Sequence, residues 1–176
     1  MIQKPKHYNL EELVCPHVFY KFGEQGWSFL DKNQMILMDW ISETLGPTFV
    51  NNYEHEYHDH PYIQFIRESI RDKKPIFEFN APPRPDTLLS QRGLRCNICG
   101  LSYAKTQAGI IYLSGHFLGK ADDFMVKSMT AENVRLWLLK NQEKIPFPIR
   151  LEKNVPWVHM DSEDNLTGEK VHLFNS

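Results

Sequence analysis

Five residues near the C-terminus, Trp157-Val-His-Met-Asp161, constrain the fold more than any other stretch of the chain. Side chains alternate along a strand, so Trp157, His159 and Asp161 share one face and Val158 and Met160 the other. Such alternation belongs to a sheet that buries one face and keeps the other polar. A strand of this kind needs partners, and its flanks supply them. Ile149–Glu152 and Val171–Phe174 read as short strands, and Lys153-Asn-Val-Pro156 suits a hairpin turn. If Glu152 sits opposite Trp157, then Arg150 sits opposite His159, and cross-strand partners share a face. Arg150, Glu152, His159 and Asp161 would then form one polar surface.

Helices complete the picture. Asp31 is placed to cap a helix running to Leu45, with Met35, Met38, Ile41 and Leu45 at helical spacing and Gly46-Pro47 as its stop. Thr130 caps a second, from Ala131 to about Gln142, which turns Val134, Trp137 and Leu138 inward. Thr48–Asn52, Ile110–Leu113 and Ala121–Val126 read as further strands. The expected fold class is α+β, with helices packed on a small, mainly antiparallel sheet in a single domain spanning 1–176. Residues 53–87 read as a surface insertion. It contains one short helix at Tyr62–Asp72, a proline-rich extended stretch at Asn80–Pro85, and a solvated polar run holding His55, His58 and His60.

A length of 176 residues, 41% hydrophobic and 24% charged, suits one globular core. A formal net charge of −2 argues against a nucleic-acid binder held by phosphate contacts. No apolar run is long enough to insert in a membrane. The start, MIQKPKHYNLEEL, lacks the apolar segment of a secretory signal, so synthesis in the cytoplasm is expected. The three cysteines, Cys15, Cys96 and Cys99, give no disulfide framework. Cys96-Asn-Ile-Cys99 has metal-ligand spacing, but a structural zinc site needs four ligands, which only Cys15 and distant histidines could complete. The two thiols are therefore expected to be partly buried and inert. A zinc nucleotide deaminase would need H-x-E ahead of P-C-x-x-C. Here the cysteines come first, and no glutamate stands two residues after His116.

The chemistry gathers in Ser114-Gly-His-Phe-Leu-Gly-Lys-Ala-Asp-Asp123. Gly119 lets the loop bend sharply, so His116 and Asp123 can turn back to one point. Asp122 competes with Asp123, but spacing favours Asp123 and turns Asp122 outward. With His159, these residues offer two imidazoles and a carboxylate, which leaves a fourth zinc position open to water, as in catalytic sites. An acidic neighbour would take the proton of that water.

The motif S-x-H-x-x-G-x-A-x-D at Ser114, His116, Gly119, Ala121 and Asp123, followed by W-x-H-x-D at Trp157, His159 and Asp161, resembles the zinc D-alanyl-D-alanine carboxypeptidases and endopeptidases. That family shares its fold with the hedgehog signalling domain. Gln91–Gly100 is similar to a subgroup found in phages and prophages of gut bacteria. The resemblance covers 88–176 well and 28–52 weakly. It implies a zinc ion on His116, Asp123 and His159, and hydrolysis of peptide bonds in peptidoglycan stem peptides. It further implies Arg95, of the Gly93-Leu-Arg95 element, as the arginine for the substrate carboxylate, with Ser114 and Trp157 lining the substrate site. Many members carry an acidic base three residues before the last histidine, and Pro156 stands there. The base then falls to Glu152, across the hairpin, or to Asp161, which could equally orient a ligand. Trp157 either floors the cleft or belongs to the core. The lack of a signal fits a lysin released during phage lysis or carried in a virion. The alternative is a non-catalytic zinc module of the same fold in wall binding or phage assembly.

Overall fold

In the computed structural model, residues 4–76, 80–164 and 166–175 are described. Helix α3 (Lys32–Leu45) begins where expected: the Asp31 carboxylate accepts the Asn33 and Gln34 N–H groups at 2.9 and 3.1 Å. It buries Met35, Leu37, Met38 and Ile41 and stops at Gly46, whose φ is +98°. Pro47 then leads into strand β1 (Thr48–Phe49).

Strands β2 (Ala121–Val126), β3 (Ile149–Glu152), β4 (Val158–Asp161) and β5 (Val171–Phe174) complete a five-stranded sheet in the order β1-β2-β4-β3-β5. All neighbours are antiparallel except β3 and β5. One face carries Phe124, Val126, Ile149, Leu151, Val158 and Met160, all buried beneath α3 and α7 (Ala131–Lys140). Each fully buried side chain of this size contributes about 1.5–3 kcal/mol. The opposite face is polar, as the alternation at 157–161 predicts. The molecule is thus a mixed α+β protein. Among the described residues, no helix is long and apolar enough to cross a membrane.

The hairpin register differs from expectation. Arg150 pairs with Asp161 and Leu151 with Met160, so the same register sets Glu152 opposite His159. A slip of two residues leaves every side chain on its expected face but moves Glu152 beside His159. Asp122 does not face outward. It pairs with Met160 and lies on the core face, where Gln34 Nε2 donates to its carboxylate at 2.9 Å. Burial pushes the Asp122 carboxyl up to about 7.

Ile110–Leu113 forms no strand. The β-branched run reads as one, but it pairs with no strand among the described residues. Ile110, Ile111 and Leu113 stay exposed, Ile111 at 92%. The stretch leaves helix α6 (Gly100–Gln107), which the sequence reading missed.

The first thirty residues contribute much of the core through α1 (Leu10–Leu13), α2 (Pro16–Phe22) and the 3-10 turns at Gly23–Phe29, burying Leu10, Leu13, Val14, Val18 and Trp27. Residues 53–71, read as part of a surface insertion, hold α4 (Tyr53–Glu56) and α5 (Pro61–Arg71). Tyr53, Tyr62, Ile63, Ile66 and Leu88 form a small core there, against Phe19 and Tyr20 of α2. His60 caps α5 through the Tyr62 N–H at 3.2 Å, and His58 Nδ1 lies 3.0 Å from Glu54. The insertion also spans positions 77–79, outside the described residues.

Candidate metal centre

Three elements converge on one point of the polar face. β2 and β4 bring Asp123 and His159 together as cross-strand partners. The loop 114–120 supplies His116. Its bend is made by Gly119 at φ +69°, where a Cβ would sit 2.2 Å from the Phe29 carbonyl oxygen, so only glycine fits. Asp31 N–H donates to the Gly119 carbonyl at 2.9 Å and ties the bend to the start of α3.

His116 Nε2 lies 3.2 Å from His159 Nδ1 and 3.3 Å from Asp123 Oδ2. A tetrahedral zinc with nitrogen and oxygen ligands at about 2.0–2.1 Å has edges of about 3.3 Å, so the donor set fits that ion in size and chemistry. The imidazoles are held from behind. His116 Nδ1 donates to the Gly93 carbonyl at 2.9 Å, which leaves Nε2 as the lone-pair atom facing the cluster. His159 Nε2 reaches Asp161 Oδ2 at 3.3 Å. Asp161 is itself held by Arg150 through two contacts, at 2.8 and 3.0 Å, and by the Glu163 N–H at 3.1 Å.

Without metal, these groups share protons. Burial keeps His116 below the ordinary imidazole range. Burial also opposes charge on His159, but hydrogen bonds to Asp123 and Asp161 outweigh it and push its pKa up to about 9. The 2.7 Å contact of His159 Nδ1 with Asp123 Oδ1 is that hydrogen bond. Burial likewise opposes charge on Asp123, yet His116 and His159 hold its carboxyl well below the usual carboxylate range. A metal would take the place of the shared proton.

A cleft of about 500 Å³ opens over the cluster, lined by Arg95, Ser114, Glu152, Trp157 and Asp161 as well as the three ligand candidates. All eight sequence-predicted site residues therefore meet in one place. The two candidate bases differ. Asp161 is fully buried and bonded on both oxygens. Glu152 lines the cleft, and its carboxylate makes no hydrogen bond or ion pair among the described residues.

Arg95 Nη2 donates to Asp123 Oδ2 at 2.9 Å, and Arg95 also lines a second cleft of about 500 Å³ with Arg84 and Arg92. Trp157 lies between the two clefts, its ring 5.9 Å beneath the Arg92 guanidinium. Ser114 lines the cleft while its Oγ accepts the Phe117 N–H at 3.4 Å, bracing the loop.

Sequence reasoning missed four supports. The Gly93 carbonyl had no side-chain signal. Gln34 lies too far along the chain from the ligands for spacing to reveal it, and Glu163, four residues after His159, falls beyond the end of the strand, where alternation no longer tells which way a side chain turns. Arg135, buried in α7, donates to the Trp157 and Val155 carbonyls at 2.9 and 3.1 Å and fixes the turn before β4. Comparison with protein-family models, curated proteins and solved structures finds no significant match to the chain.

Proposed function

We propose that the chain is a zinc metallopeptidase that hydrolyses peptide bonds in peptidoglycan stem peptides containing D-amino acids. Its fold would be that of the D-alanyl-D-alanine peptidases and hedgehog domains, in a lysin of phage or prophage type. The observation that carries the reading is the convergence of His116, Asp123 and His159 beneath a cleft in which Glu152, opposite His159, has an uncommitted carboxylate. Zinc on those three residues would supply a Lewis acid for the scissile carbonyl and bring a bound water to a pKa of about 7. Glu152 takes the proton of the attacking water and delivers it to the leaving amine. Asp161, already saturated, orients His159 and is not the base. Arg84, Arg92 and the Asp123-paired Arg95 outnumber the aspartates Asp86 and Asp123 in the adjoining cleft and suit it to a substrate carboxylate.

The test is purified peptidoglycan, with fragments identified by mass spectrometry, digested by the wild type, His159→Ala and Glu152→Gln. The wild type should release peptide fragments that name the bond cut. His159→Ala should lose both this zinc and cleavage. Glu152→Gln should keep the zinc and lose activity by about 10²–10⁴-fold. Zinc without cleavage of any wall type would replace this reading with a non-catalytic zinc module in wall binding or phage assembly.

A further inference from the structure

Next to the Gly93–Arg95 segment lies a second group of ligand-type residues that the peptidase chemistry does not use. The Leu94 N–H donates to the Leu13 carbonyl at 2.8 Å, and the Cys15 N–H to the Leu94 carbonyl at 2.9 Å. This short parallel ladder, centred on Val14 and Leu94, sets Cys96 beside Cys15. His17 follows in the first turn of α2, and Cys99 immediately precedes α6. Sequence spacing alone left Cys96 and Cys99 short of two ligands. The fold supplies Cys15 and His17.

We propose that Cys15, His17, Cys96 and Cys99 bind a structural zinc ion. Their donor atoms all lie within 4.8 Å of one another. Cys96 Sγ is 3.7 Å from Cys99 Sγ, and Cys99 Sγ is 3.6 Å from His17 Nδ1. Tetrahedral zinc with sulfur at about 2.3 Å and nitrogen at about 2.0 Å has edges of about 3.5–3.8 Å. The observed separations match these edges and are far beyond a disulfide bond of about 2.05 Å. Cys15 and Cys99 are fully buried, His17 is 4% exposed and Cys96 is half-buried, so three of the four donors are closed to substrate, in keeping with a structural site. Three thiolates and an imidazole leave no open position, and thiolate-rich sets select zinc over magnesium or calcium. His17 Nε2 is buried with no hydrogen-bond partner among the described residues, so its imidazole is committed to nothing else there.

The ion would join residues 15–17 to 96–99 directly behind Gly93 and Arg95, whose backbone groups meet His116. The Arg95 N–H donates to the His116 carbonyl at 3.1 Å, and His116 Nδ1 to the Gly93 carbonyl. The site thus braces the segment that supports a catalytic ligand, yet its existence does not depend on the peptidase reading.

The test is metal analysis of the full chain as wild type, His159→Ala and Cys99→Ser. The wild type should carry two zinc ions, and each variant one. Cobalt substitution should give His159→Ala a thiolate-to-cobalt charge-transfer band, which a histidine–carboxylate site cannot produce. Should Cys99→Ser fail to fold, His159→Ala alone decides the matter: modifying its three thiols with a mercurial reagent should release one zinc per chain. A His159→Ala chain with no zinc, a cobalt spectrum free of thiolate bands, or a Cys96–Cys99 disulfide in the purified native chain would each overturn the proposal. Two zinc ions with no cleavage would leave it standing while removing the peptidase.

Discussion

A Gly119→Ala chain must accommodate a methyl group 2.2 Å from the Phe29 carbonyl oxygen and 3.1 Å from the Leu30 Cα. Both are backbone atoms, so no side chain can swing aside. The residue also holds φ at +69°, which costs an alanine about 1–2 kcal/mol. Relieving the contact requires the loop to move by about 1 Å, which breaks the hydrogen bond from Asp31 N–H and adds about 1 kcal/mol. Together with residual strain, the loss should be roughly 3–4 kcal/mol. Gly109 provides the control, because its φ is +66° and nothing lies within 4 Å of its would-be Cβ. Gly109→Ala should lose only the conformational part, about 1–2 kcal/mol. Urea unfolding followed by tryptophan fluorescence, with a chelator present so that metal binding does not contribute, reads both. The Gly119 variant should also bind zinc more weakly, since the bend carries His116 and leads into Asp123. Equal midpoints for the two variants would refute the argument that close approach, rather than φ alone, fixes this loop.

Other substitutions follow from the same geometry. Asp122 has a folded pKa of about 7, above the unfolded value, so its contribution is complete below about pH 4 and is lost as pH rises through 7. Asp122→Asn should therefore be a few kcal/mol more stable than the wild type at pH 8 and no more stable at pH 4, as measured by chemical denaturation without metal. His159 has a raised pKa of about 9, so the metal-free chain keeps that contribution below about pH 6.5 and loses it as pH climbs through 9. Removing one of its carboxylate partners in Asp161→Asn should flatten the loss. The same variant should bind zinc about 10–100-fold more weakly, in competition with a chelator, while activity per bound zinc holds. A loss of turnover at full zinc occupancy would instead make Asp161 the base. Phe124→Ala opens a cavity beneath the sheet, since Phe124 is fully buried, and should cost about 3–5 kcal/mol in the same denaturation assay.

The sequence exposed the site better than the surroundings that hold it. Strand alternation placed His159 and Asp161 on one face whatever the register, because a slip of two residues preserves faces. Capping residues marked the starts of α3 and α7, since Asp31 and Thr130 satisfy local N–H groups. Ile110–Leu113 misled because β-branched residues report a preference for extended backbone and not the presence of an edge to pair with. The N-terminal thirty residues hid their core role because α1 and α2 are too short to show a period. The missing two ligands at Cys96 and Cys99 were beyond spacing arguments, as they depend on a single parallel bridge between segments eighty positions apart.

That bridge has a consequence for the order of assembly. Joining residue 14 to residue 94 closes a loop of about 80 residues, with an entropy cost of about 4 kcal/mol that two backbone hydrogen bonds do not offset alone. The contact therefore cannot form early as an isolated event. It must wait for α2, α5 and their aromatic residues to condense, so the segment between the bridge's two halves supplies the driving force that draws them together. During synthesis all of this material has emerged before β2, β3 and β4 exist. The amino-terminal half can consequently dock as a platform, carrying Gly93 and Arg95, onto which the later sheet delivers Asp123 and His159. A chain stopped before Ile149 should show the protease resistance of the first half and keep the thiolate zinc of Cys15, His17, Cys96 and Cys99, with no uptake at the His116–Asp123 site, which then lacks His159.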